Sequence, residues 1–186
     1  TSGGFITGID PEKEAKISNV PQTIRQGRYL NPSDTNAAVV GALLAKNLKI
    51  GIGDELVVLG SAMDSSVAAT VLKVTGIFSS GMDEYDRTAI QIPLRHFQDA
   101  FAMGNAVHEI IIICDSLWHV GRVKSAISKN LSTLRIQSDL TCMSWDELTP
   151  GLIQSIQMDL GGGLIFYAIL LVMVAFSIMN TFVMAV

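Results

Sequence analysis

The stretch Leu164–Val186 reads LIFYAILLVMVAFSIMNTFVMAV, a run without Asp, Glu, Lys, Arg or His. At 1.5 Å of rise per residue, a helix of roughly 20 apolar residues crosses the hydrocarbon core of a bilayer. Core helices of soluble proteins usually keep one polar face, but here the polar interruptions are only Tyr167, Ser177, Asn180 and Thr181. The run therefore reads as a membrane helix. It is still apolar at Val186, and the chain opens on TSGGFITG without a methionine, so a longer membrane protein is expected around it.

Working back from the run, the charges have one sign. Arg135 is the last basic residue, and Asp139, Asp146, Glu147 and Asp159 stand between it and Leu164. Cytoplasmic flanks of membrane helices are enriched in Lys and Arg, so residues 1–160 are expected on the outer side. The net charge of −4 leaves no basic surface to meet phosphates, which excludes nucleic acid as a partner. The part before the run is long enough to bury a core of its own.

In that part, Asp10-Pro11 starts a charged turn, and Ile17, Val20 and Ile24 share a face that Pro21 interrupts. Ala37–Gly41 reads as a short buried strand, followed by a helix from Ala42 with Leu44 and Leu48 inward. Gly51, Gly53 and Asp54 mark a turn. Glu55–Leu59 and the alternating Val67–Phe78 then form a hairpin across the short connection Ser61–Ser66. Ser79–Asp86 reads as an acidic, solvated loop, and Thr88, Ile90 and Ile92 as a half-buried strand. Pro93 opens a helix that buries Leu94, Phe97 and Phe101. The apolar run Val107–Cys114 suits a strand covered on both faces. An amphipathic helix over Trp118–Leu131, a strand over Ile136–Cys142 and a helix from about Trp145 complete the outer part. Ser144 and Glu147 have capping-box spacing for that last helix. Its course toward the membrane is expected to be irregular at Pro150-Gly151 and at Gly161–Gly163. The sum is an α+β domain followed by a transmembrane helix.

Motifs for chemistry are missing. Neither GxSxG nor SxxK occurs, and the glycines of GIFSSG (Gly76–Gly81) are followed by Met82 instead of the lysine of a P-loop. His96, His108 and His119 are scattered, and the cysteines lack zinc-ligand spacing, so neither a metal site nor a cofactor is expected. Asp83, Glu84 and Asp86 lack the order of an EF-hand. Cys114 and Cys142 fit either a disulfide or two separately buried thiols. Ala168 and Ala175 lie seven apart in the membrane run, where small residues let helices approach, and Ser177, Asn180 and Thr181 offer hydrogen bonds to a neighbour. Lipid-facing alanines, with the hydroxyls bonded inside their own helix, are the other reading.

GIDPEKEAKIS, GRYL, VVGALLAKNLKIGIGDEL, VTGIFSSGMDEYDRTAIQIPL and SWDEL, in this order before a membrane helix ending in NTFVMAV, resemble the FtsX-like ABC-transporter permeases. That group includes lipoprotein-releasing and macrolide-exporting permeases. The resemblance implies a non-catalytic four-helix permease subunit of a bacterial inner membrane, with a large periplasmic domain between its first two membrane helices. Thr1 then follows the first helix and Leu164 begins the second. It further implies a porter-like β-α-β part at residues 1–26 and 94–150, with a β-rich insert at 27–93. The implied partners are a cytoplasmic ABC ATPase, a second permease subunit in a homo- or heterodimer, membrane lipid, and a periplasmic carrier or adaptor. Trp145, Asp146, Glu147 and Gly161, Gly162 and Gly163 are the expected coupling segment between outer domain and membrane. In lipoprotein-releasing systems the carrier-recruiting subunit has a long loop where this chain has only Ser61–Ser66, which argues against carrier recruitment. A membrane-tethered interaction module without transport is the alternative function.

Overall fold

The computed structural model describes residues 2–133 and 140–185. Its elements divide into two compact units, Thr1–Ile113 and Cys114–Val186.

The first unit is built on one mixed sheet. In chain order it comprises β1 (Phe5–Ile9), α1 (Pro11–Ile17), β2 (Ile24–Gly27), β3 (Ala37–Gly41), α2 (Ala42–Leu48), β4 (Glu55–Ser61) and β5 (Val67–Phe78). These are followed by α3 (Asp83–Thr88), β6 (Ala89–Pro93) and α4 (Leu94–Ala100). The sheet order is β1-β6-β3-β5-β2, with β4 paired to β5. β1 runs parallel to β6, and β3 parallel to β5; the other pairings are antiparallel.

The patterning explains these pairings. Val67–Phe78 alternates so that Ala68, Leu72, Val74 and Phe78 are buried while Val67, Ala69, Val71 and Lys73 face out. In β3 every residue is buried, because both faces of the sheet are covered. Ala38 and Val40 pack with Leu44, Leu56, Leu72 and Ile92 on one side. Ala37 and Val39 pack with Ile9, Leu30 and Phe78 on the other. Gly41 ends β3 where the backbone of α3 passes close: a Cβ there would lie 2.3 Å from the Asp86 carbonyl oxygen. The link from β4 to β5 is short, with the Ala62 amide donating to the Ser66 carbonyl at 2.9 Å and Ser65 in the left-handed region at φ 68°.

Two expectations for this unit are corrected. Ser79–Asp86 is not a solvated loop throughout. Acids in the first turn, which favour a helix N-terminus, accompany α3, and Asp86 is only 3% exposed. Nor is Val107–Cys114 a doubly covered strand. No strand forms there, and Ile110–Ile113 are 57–79% exposed. A β-branched run favours a strand only where a neighbouring edge accepts its hydrogen bonds, and no described strand pairs with it.

The sheet takes β1 and most of β2 from before residue 27 and its other strands from residues 37–93.

The second unit is helical among its described residues. A 3-10 turn at Leu117–His119 leads into α5 (Val120–Thr133), and later come α6 (Trp145–Leu148) and α7 (Pro150–Ala185). The strand expected at Ile136–Cys142 lies largely outside the described residues. α7 is 36 residues long, about 54 Å at helical rise. It is apolar over an 18-residue window, with mean hydropathy 2.4, and none of that window is buried. A mixed sheet domain followed by a long apolar helix agrees with the α+β expectation.

Candidate coupling segment and outer cleft

The segment from Ser144 into α6 begins with a cap. The Ser144 amide donates to Glu147 Oε2 at 3.2 Å, closing the capping box that starts α6. Lys124 on α5 reaches across to the same carboxylate, its Nζ 2.5 Å from both oxygens. The Lys124 hydrogen bond, reinforced by the Ser144 amide, holds the Glu147 carboxyl below its ordinary value. The Ser144 hydroxyl does the same for Asp146. Glu147 therefore serves two purposes, capping α6 and joining it to α5.

α6 stops after one turn. Thr149 leaves helical geometry at φ −127° and ψ 59°, and its hydroxyl donates to the Trp145 carbonyl at 2.8 Å. A residue preceding proline is disfavoured in the helical region, and Pro150 in turn suits the first position of a new helix. The expected irregularity thus falls at Thr149-Pro150. At Gly161–Gly163, by contrast, α7 continues unbroken. Each of these glycines has open space where a Cβ would sit, so close packing within the chain does not require them. In a helix interior each is about 1 kcal/mol less favourable than alanine, which makes this the weakest stretch of α7 by propensity.

The other sequence-selected residues spread out. Cys114 and Cys142 are half-exposed free thiols. Ala168, Ala175, Ser177, Asn180 and Thr181 all lie on α7 and are exposed. At 100° per residue the two alanines share one side, while Ser177, Asn180 and Thr181 lie on the opposite side. The Thr181 hydroxyl donates to the Ser177 carbonyl of its own helix at 3.0 Å.

One feature of the first unit has no sequence signal. A cleft of about 540 Å³ is lined by β1, α1, Leu94 and Phe97 of α4, and the segment Met103–Ile111. Gln91 on its wall accepts from the Tyr29 hydroxyl at 2.9 Å through Oε1, and Gln91 is 3% exposed. Burial, followed by the nearby Glu14 charge, pushes the Tyr29 hydroxyl far above its usual value, so it stays a neutral donor. Asp10 on the rim caps α1 through the Glu12 and Lys13 amides and pairs with the Lys13 ammonium at 3.1 Å. No group of three or more metal-ligating side chains occurs among the described residues.

The sequence matches the family model described as MacB-like periplasmic core domain over residues 1–130. Comparison with curated proteins gives no match.

Proposed function

Because the chain belongs to the family of MacB-like periplasmic core domains, we propose that it passes ATP-driven motion between the bilayer and an outer domain that exports or releases a substrate. A member of this family is part of an ABC transporter of permease type, and this chain's own contribution is not enzymatic. In the proposal, residues 1–160 lie on the periplasmic side of an inner membrane, α7 crosses it, and a separate or fused cytoplasmic ATPase supplies the energy. A second permease subunit completes the transporter. The short Ser61–Ser66 connection speaks against recruitment of a periplasmic carrier by this subunit.

The observation that carries the coupling role is the continuity of α7 from Pro150, just after α6, through the apolar run. A helix transmits displacement along its axis as a rigid body only while its hydrogen-bond ladder is intact. Inserting a flexible glycine-serine stretch at Gly161–Gly163 of the full-length protein is expected to abolish transport while ATPase binding persists. Transport at the parental rate would contradict the coupling role.

A further inference from the structure

β1 lies at the end of the sheet and pairs only with β6. An edge strand presents a row of unpaired N–H and C=O groups on its outer side. Val107–Ile113 leaves its main chain unpaired for a different reason. It belongs to no helix or strand, and its backbone groups make no hydrogen bond among the described residues. Both segments line the cleft of about 540 Å³, β1 through Ile6–Ile9 and the other through Val107–Ile111.

Main-chain donors and acceptors require partners, and the β-branched side chains of Val107 and Ile110–Ile113 favour extended geometry. Two stretches of unpaired main chain bordering one cleft are complementary to a single extended polypeptide strand. A ligand without backbone amides would leave those groups unmatched. The side chains set what such a strand carries. Ile9, Phe97, Val107 and Ile110 give the cleft apolar walls, which suits apolar residues at alternate positions of the strand. Three carboxylates, Asp10, Glu14 and Glu109, line the cleft against one ammonium, Lys13, and Lys13 is already paired with Asp10 at 3.1 Å. Glu14 and Glu109 have no ion pair among the described residues. The surplus charge is negative, so its complement is Lys or Arg.

We propose that the cleft beside β1 binds an extended segment of another polypeptide, with apolar residues alternating with Lys or Arg. The segment adds as a strand to the free edge of β1 and runs beside Val107–Ile111. The site is formed within the first unit, so the inference goes beyond the coupling role and does not depend on it.

The test uses the full-length protein in detergent and a fluorescent, acetylated seven-residue peptide that alternates lysine and valine. Saturable binding is expected by fluorescence anisotropy. The same peptide with its alternate amides N-methylated keeps every side chain but loses one hydrogen-bonding edge, and should bind on the order of tenfold more weakly. Glu14→Lys with Glu109→Lys should weaken the lysine peptide by a similar factor and strengthen a glutamate–valine peptide, while the thermal melt stays at the parental value. A benzophenone attached at Ile111→Cys, with Cys114 and Cys142 replaced by serine, should capture the lysine peptide on illumination. Absence of saturable binding overturns the site. Equal affinity for the N-methylated peptide overturns strand addition, and an unchanged charge preference in the double variant overturns the assigned rim. Capture of another part of the same chain, or of a second copy, in place of the peptide shows the cleft already filled and overturns the proposed partner.

Discussion

Phe78→Ala is expected to remove about 3–5 kcal/mol from the stability of the outer domain. Phe78 ends β5, is fully buried, and fills the face of the sheet formed by Ile9, Leu30, Ala37, Val39 and Ala89. Its ring lies 5.6 Å from that of Tyr85, centroid to centroid, which ties β5 to α3. Truncation leaves a ring-sized cavity between strands that are paired on both sides and cannot collapse into it. A domain of this size is typically stable by only about 5–15 kcal/mol, so the variant should sit near the edge of folding. Thermal melts should show a fall in Tm on the order of 15 °C. Val57→Ala is the matched control, since Val57 is 62% exposed on the outer face of β4 and should change stability by less than about 0.5 kcal/mol. Equal losses from the two substitutions would show that the sheet is not packed as described.

The second large effect is expected at Asp86, the most buried charged side chain among the described residues. The Ser80 amide and hydroxyl donate to its Oδ1 at 2.8 and 2.7 Å, and the Ser79 hydroxyl to Oδ2 at 3.1 Å. Asp86→Ala leaves these donors without an acceptor in a closed corner beneath Gly41, at a cost of about 3 kcal/mol. Burial raises the carboxyl pKa, but the donors from Ser80 and Ser79 outweigh it, and the group is held below its ordinary value. A carboxyl with a lowered folded pKa contributes stability above its unfolded pKa, roughly 3.9, and that contribution disappears as pH falls through the folded value. Denaturant titrations should therefore show the parent losing stability below about pH 4. Asp86→Asn should lack that component. A variant with the same acid dependence as the parent would mean that another carboxylate governs it.

Much of the sheet was legible because its strands carry their own signal. Val67–Phe78 alternates over its whole length, and Ala37–Gly41 is a short apolar run that gives way directly to a helix. β1 was missed since FITGI is short and its partner, Ala89–Pro93, lies some eighty residues later. α3 was read as loop for a similar reason: six polar residues show no apolar stripe, and their order comes from Asp86 and its serine donors. Val107–Cys114 was misread in the other direction: β-branched composition spoke for a strand, but no described strand pairs with it. At the start of α6, the capping box was visible as spacing between Ser144 and Glu147. Lys124 was not, because nothing local links it to a carboxylate 23 residues away. The cleft beside β1 is assembled from three separate segments and leaves no pattern in any one of them. The membrane helix lay at the opposite extreme, fixed by composition alone.

All of this depends on α7 crossing a bilayer with the sheet domain on the outer side. The most direct measurement is labelling of Val67→Cys, in a background with Cys114 and Cys142 changed to serine, using a maleimide that cannot cross membranes. Val67 starts β5 beside the hairpin connection and is 83% exposed. The thiol should react in cells whose inner membrane is intact and reachable from outside, and stay protected in inverted vesicles. Labelling confined to inverted vesicles would place the domain in the cytosol and contradict the account.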